Sequence, residues 1–194
     1  MRIFGLILAG GAGQRMGGAD KALLPFGAGS LLSSAIERFE PQVEMLALSA
    51  NGDPARFGAF DLPVLPDKDG GGAGPMAGLL AGLDWAGATG ATHLATMAVD
   101  TPFIPGDLVA RLMLAGDGGP AIAESADRAH PTAGLWPVAL RAPLEAALAR
   151  AERRLGQWAD QVGAARATFP ATEPDPFMNV NTQEELATAA RYLD

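Results

Sequence analysis

"LILAGGAGQRMGGADKALLPFG", residues 6–27, is an apolar run that breaks into a loop with glycine at positions 10, 11, 13, 17 and 18. With Ile3 and Phe4 added, the run reads as a buried strand over residues 2–9. Glycine loses more backbone freedom on folding than any other residue. So dense a cluster therefore implies close approach to a ligand or positive φ. A concavity of backbone N–H groups binds phosphate, and Arg15 and Lys21 add fixed positive charge beside it. A glycine-rich turn with two solvated basic residues is the plainer alternative. Two familiar fingerprints do not fit. Gly18 is followed by Ala19, where a Walker A loop needs lysine, and Met16 stands where a dinucleotide fingerprint needs glycine.

Outward from this loop, strands and helices alternate. Residues 30–39 put Leu31, Leu32, Ala35, Ile36 and Phe39 on one helical face. Strands fit residues 43–50 and 62–66. Residues 74–86, "GPMAGLLAGLDWA", read as a helix despite their glycines. A fourth strand, 92–99, runs into Asp100, and a helix over 105–115 starts with Pro105. "PAIAES" (120–125) and "TAGLWPVAL" (132–140) read as further strands. Leu144, Ala147, Leu148, Ala151 and Leu155 form a stripe that predicts one helix. Thr182 and Glu185 form a capping-box pair opening a last helix with stripe Leu186, Ala189, Ala190 and Leu193. This alternation predicts an α/β fold with a mainly parallel sheet flanked by helices. Residues 1–194 are expected to form a single domain, and the glycines of "DGGGAG" (69–74) belong to a loop inside it rather than to a linker.

Composition narrows the class. The chain has 194 residues, 48% hydrophobic and 19% charged, enough apolar content for a substantial core. A net charge of −8 argues against coating nucleic acid, though not against a small anionic ligand. The amino-terminal end, with Arg2, Arg15 and Lys21 against Asp20 and Glu37, is about neutral to slightly positive. There is no cysteine, so cysteine nucleophiles, disulfides and thiolate zinc sites are excluded. The first residues resemble a secretion signal only loosely, because one Arg leads an apolar run of about seven residues. No stretch approaches the ~20 apolar residues that span a bilayer. A cytoplasmic location is the expectation.

Ligands of such sheets bind beyond the carboxyl ends of the strands. Three segments fall there: the glycine loop, "PDKDGGGAGP" after the third strand, and "VDTPFIP" after the fourth. A carboxylate such as Asp100 suits Mg²⁺, a hard ion that takes oxygen ligands and substrate phosphates; it could equally cap the next turn. Asp67 is similarly ambiguous. Asn51 could meet a base or make a local turn. Asn179 and Asn181 alternate in "FMNVNT" and could face one substrate. His93 falls inside a strand and reads as structural. His130 reads as a loop residue that could touch a ligand, and no Ser-His-Asp arrangement follows from spacing.

Taken together in order, "LAGG", "RMGG.DK", "PD......GPMAG", "DTPFIP", "HPTAGLW" and "FMNVNTQEEL" resemble the molybdenum cofactor guanylyltransferase family, from residue 6 to about 187. The resemblance implies a Rossmann-like nucleotidyltransferase domain whose amino-terminal part binds nucleotide and whose carboxyl-terminal part binds molybdopterin. It implies transfer of GMP from GTP to the terminal phosphate of molybdenum-molybdopterin, with Mg²⁺ as cofactor and pyrophosphate released. Carried over by position, Leu8, Ala9, Gly10 and Gly11 line GTP, Lys21 contacts its phosphates, and Asn51 and Asp67 hold the guanosine. Asp100 takes the metal, and Asn179 and Asn181 meet the pterin. Lys21, Arg15 and Asp100 are the catalytic set. The expected partners are the two substrates, with no nucleic acid and no membrane. The expected state is a monomer, with transient contacts to cofactor-biosynthesis proteins or apo-molybdoenzymes. The nearest alternatives are a cytidylyltransferase for the same cofactor, a sugar-phosphate nucleotidyltransferase, and a non-catalytic nucleotide-binding protein.

Overall fold

The structure is a computed structural model that describes residues 1–10, 20–67 and 74–193. Strand β1 (Ile3–Leu8) is followed by a small hairpin, β2 (Pro25–Phe26) and β3 (Gly29–Ser30), then α1 (Leu31–Phe39). Next come β4 (Leu46–Ser49), β5 (Val64–Leu65), α2 (Pro75–Ala88), β6 (His93–Ala98) and α3 (Leu108–Gly116). The rest is β7 (Ala121–Ser125), β8 (Arg128–Pro137), α4 (Arg141–Ala149), α5 (Leu155–Gln161), β9 (Ala165–Phe169) and α6 (Gln183–Ala190). Seven strands form one sheet in the order β5-β4-β1-β6-β8-β7-β9. All its pairings are parallel except the two made by β8.

All six residues of β1 are buried, as a strand covered on both faces should be. The pleat divides them. Ile3 and Ile7 join the core under α1 and α3, while Phe4, Leu6 and Leu8 join the core under α2, α4 and α5. A third cluster of Leu24, Phe26, Leu31, Phe103, Val180, Leu186 and Ala189 docks the hairpin and α6 at the carboxyl edge of the sheet.

The glycines of α2 explain why so unpromising a sequence is helical. A Cβ on Gly78 would lie 2.4 Å from Ser49 Oγ, and one on Gly82 would lie 2.5 Å from Leu6 Cδ2 and 2.7 Å from Leu94 Cδ2. The helix therefore presses directly onto β1, β4 and β6. Burial offsets the ~1 kcal/mol that glycine costs in a helix relative to alanine.

The capping box expected at Thr182 and Glu185 opens α6, and a second one, Ser30 with Ser33, which the sequence reading did not single out, opens α1. The expected helix across 144–155 is two helices. Ala151 takes φ +62°, and Glu152 N donates to Ala147 O at 3.1 Å, a Schellman-type end. The break lets α4 lie on α2 while α5 turns Trp158 onto Trp136 of β8, ring centroids 5.3 Å apart. The strand expected at 132–140 starts earlier, at Arg128, and its last residues, Val138–Leu140, are a 3-10 turn. Strand β9 and the β2–β3 hairpin were not anticipated: β9 alternates exposed Arg166 and Thr168 with small Ala165 and Ala167 and offers no apolar run, and two-residue strands carry no periodicity. No helix among the described residues is long and apolar enough to cross a membrane.

The tight α2 contact gives a test. Gly82→Val should lower unfolding stability by about 1–3 kcal/mol through overpacking against Leu6 and Leu94. Urea unfolding followed by far-UV circular dichroism measures it, and an unchanged midpoint would mean the helix stands further from the sheet.

Candidate active site

Strand β1 leaves the sheet between diverging neighbours. Ala9 N donates to Ser49 O on one side (2.9 Å), and Leu8 O accepts from Val99 N on the other (3.1 Å). Leu8 is buried, Ala9 half-buried and Gly10 exposed. A Cβ on Gly10 would meet nothing within 4 Å among the described residues, so none of them demands glycine there. Gly11 and Arg15 lie outside the described residues, as does the glycine run at 70–72.

The chain re-enters at Asp20, whose carboxylate accepts from Ala22 N (3.1 Å) and caps the 3-10 turn Lys21–Leu23. That turn aims Lys21 at the end of β6. Lys21 Nζ donates to Asp100 Oδ2 at 2.7 Å and to Asn181 Oδ1 at 2.9 Å. The two charged side chains are only 18% and 22% exposed, which makes this a shielded pair rather than a surface one. Val180 N donates to Asp100 O (2.9 Å), so the backbone brings residues 180–181 to the same place. Asn179 is exposed and makes no hydrogen bond in this cluster.

Asn51 and Asp67 form a second, reciprocal pair after β4 and β5. Asn51 Nδ2 donates to Asp67 Oδ2, and Asp67 N donates to Asn51 Oδ1, both at 2.8 Å. Arg56, which sequence reasoning passed over, joins the two halves. Its Nε donates to Asp20 Oδ2 (2.6 Å), its Nη2 to Asn51 O (2.5 Å) and its Nη1 to Asp53 O (2.8 Å). The guanidinium also lies 4.4 Å from the centroid of the Phe57 ring. Asp20 entered the sequence reading only as a charge. Nothing in its spacing to Arg56 signals contact across 36 residues.

Among the described residues no three His, Cys, Asp or Glu side chains gather as a resident metal cage. The donors at the strand ends are hard oxygens, with Asp100 using one carboxylate oxygen on Lys21. One carboxylate plus substrate phosphates is a usual magnesium arrangement, whereas zinc would want nitrogen or sulfur. The site therefore fits an ion that arrives with a phosphate ligand.

The two histidines separate as anticipated in part. His93 is buried, with Nδ1 3.0 Å from Thr92 Oγ1 and Nε2 3.2 Å from Gly118 O, a structural role. His130 belongs to strand β8, not a loop, and it builds a cluster that spacing had hidden. Its Nε2 lies 2.8 Å from Ser125 Oγ, which donates to Asp175 Oδ2, also at 2.8 Å. Burial holds the imidazole below its ordinary pKa, against an opposing pull from Asp175. This is no hydrolase triad: there the histidine stands between serine and aspartate, whereas here Ser125 stands between the other two.

A family model described as "MobA-like NTP transferase domain" matches residues 5–165. A "Molybdenum cofactor guanylyltransferase" of Cereibacter sphaeroides is 55% identical over 193 residues, covering 100% of this chain and 98% of that protein. Among solved structures, molybdopterin-guanine dinucleotide biosynthesis protein A from Archaeoglobus fulgidus superposes with a TM-score of 0.76 at 19% identity, covering 98% of both chains. A protein from Mycobacterium tuberculosis H37Rv, solved in complex with manganese, gives 0.71 at 18% identity over 98% of this chain and 99% of that one.

Arg56→Ala removes three donated hydrogen bonds from a half-buried guanidinium. Unfolding free energy should fall by about 1–2 kcal/mol. A double-mutant cycle with Asp20→Ala should show non-additivity, and strictly additive losses would mean the two side chains do not share a bond.

Proposed function

The chain belongs to the molybdenum cofactor guanylyltransferase family, within the MobA-like NTP transferases, and from that membership we propose that it transfers GMP from GTP to molybdenum-molybdopterin. The observation that carries the reading is the meeting of Lys21, Asp100 and Asn181 at the carboxyl edge of the sheet. These residues come from segments 79 and 160 positions apart in the chain. We assign the strand-end backbone of Leu8, Ala9, Gly10 and Gly11 to the nucleotide, and the Asn51–Asp67 pair to guanosine. Asn179 and Asn181 go to the pterin. In this division the amino-terminal part holds nucleotide and the carboxyl-terminal part holds the acceptor.

An oxygen of the acceptor's terminal phosphate forms a new bond to the α-phosphorus of GTP. The bond from that phosphorus to the oxygen bridging to the β-phosphate breaks, and pyrophosphate leaves with the electron pair. A phosphate monoester has its second pKa near ~6, so the attacking group is already an anion at neutral pH. No general base is needed, and the absence of an activated histidine at Lys21 is consistent with that. What the chain must do is hold two polyanions in line and stabilise the leaving charge.

Lys21 suits this task. An ammonium has three donors, and two are directed at Asp100 and Asn181. The third, with Arg15, serves phosphate oxygens. In the resting arrangement Asp100 neutralises Lys21, so no lone charge is shielded from water; a triphosphate competes with Asp100 for the ammonium. Asp100, with one carboxylate oxygen outside the Lys21 contact, would hold Mg²⁺ together with the nucleotide's phosphates. That ion would neutralise charge on the leaving pyrophosphate. We further propose a monomer that meets these two substrates without nucleic acid or membrane.

Lys21→Ala should fold and lose about 10²–10³ in the rate of GMP transfer, the scale of one preorganised donor. Asp100→Asn keeps the shape but loses the charge, and should leave almost no magnesium-dependent turnover. Single-turnover pyrophosphate release measures both. Near-normal rates in either folded variant would remove that residue from the catalytic set.

Nucleotide choice tests the function itself. A site that pairs with the guanine edge leaves its own polar groups unsatisfied when another base enters, at about 1–3 kcal/mol per group. Ligand bound only to the native state raises stability by about 2.7 kcal/mol at 100 times its Kd. GTP with Mg²⁺ should therefore raise the melting temperature clearly more than CTP, ATP or UTP at equal concentration. Equal shifts for all four would leave a generic triphosphate site, and a larger shift with CTP would make the chain a cytidylyltransferase.

A further inference from the structure

The segment from residue 170 to 182 crosses the carboxyl edge of the sheet between β9 and α6. It carries both asparagines assigned to the acceptor. One end is tied to the catalytic cluster, through Val180 N to Asp100 O and through Asn181 to Lys21. The other end is tied elsewhere. Asp175 Oδ2 accepts from Ser125 Oγ, and Asp175 Oδ1 accepts from Phe177 N, both at 2.8 Å. The Phe177 ring is buried between His130, stacked at 4.6 Å and 22°, and Phe169, edge-on at 5.1 Å.

We propose that His130 is a positioning residue for the acceptor: through Ser125, Asp175 and the Phe177 ring it sets where residues 175–181 present Asn179 and Asn181. This rests on the reading above, in which those asparagines meet molybdopterin. The protons follow from the chemistry of the three groups. A carboxylate only accepts, so the single hydroxyl proton of Ser125 goes to Asp175. Ser125 must then accept from His130, which puts the imidazole proton on Nε2. Ser125 is 1% exposed, so neither bond can be replaced by bulk water at no cost.

Filling space against Phe177 would not call for such a relay, because an apolar side chain packs an aromatic face as well as imidazole does. The hydrogen bonds start on β7 and β8 and end on the crossing segment. They fix a register between the rigid sheet and the loop that hangs from it. Arg56 ties Asp20 and Asn51 on the β4 side without touching this relay, and Lys21 keeps its Asp100 partner when Asn181 shifts, so His130 should act mainly on the acceptor and much less on GTP.

The experiment compares wild type with His130→Ala, His130→Gln and Ser125→Ala. It measures KM for molybdenum-molybdopterin, KM for GTP, kcat, and hydrogen exchange at the Phe177 and Val180 amides. His130→Ala should raise the acceptor KM about tenfold, the scale of one lost hydrogen bond, with the GTP KM within about twofold. Both amides should exchange faster. His130→Gln can donate an amide proton near the Nε2 position and should recover most of the acceptor KM. Ser125→Ala removes the bridge with little change of volume and should repeat the acceptor-specific loss, so the test survives if His130→Ala fails to fold. An unchanged acceptor KM, a parallel rise for both substrates, or a glutamine variant as poor as alanine would each overturn the inference. A wild type that cannot transfer GMP overturns the functional reading, and this inference with it.

Discussion

Strand β1 is paired on both edges and covered on both faces, and the rest of the molecule is arranged around that constraint. Its polar backbone is satisfied only while β4 and β6 run beside it. Where it ends, the neighbouring connections depart to opposite faces, α1 under one side and α2 under the other. The gap beyond Leu8 is a topological switch point, the place where open α/β sheets take ligands. Asp100 at the end of β6 and Asn51 at the end of β4 flank it because their strands flank β1.

Charge within that gap is balanced locally. A chain of net charge −8 would repel a triphosphate at long range. In the proposed reaction Lys21 would offset this where the triphosphate sits; in the resting arrangement Asp100 compensates the Lys21 ammonium at 2.7 Å. An uncompensated ammonium in so shielded a place would carry a desolvation cost of several kcal/mol. The pair thus resolves a conflict between holding a cation ready and folding around it.

Two polar ties keep the loops of the site in register with the sheet. Arg56 spans from the backbone after β4 to the carboxylate that caps the Lys21 turn. Ser125, His130 and Asp175 span from β7 and β8 to the segment that returns Asn181 to Lys21. Each tie ends on a loop, where apolar burial alone leaves the backbone free to shift. Hydrogen bonds are directional and specify position more sharply than contact area does.

Much of this was legible in the residues. The apolar run ending in glycines, the strand ending at Asp100 and the capping box at Thr182 are local patterns, and local patterns follow from steric and hydrogen-bonding rules that act over a few residues. The ordered motifs also led to the family. Tertiary structure alone decided the rest. The stripe through Ala151 had to break because α4 and α5 cover different neighbours, and a hydrophobic period does not say which surface it will meet. Lys21 with Asn181, Asp20 with Arg56, and Ser125 with His130 and Asp175 are contacts across 160, 36, 5 and 50 positions. The β7–β8 hairpin brings Ser125 to His130; sheet order sets the longer separations, and it emerges only when both faces of β1 are buried at once.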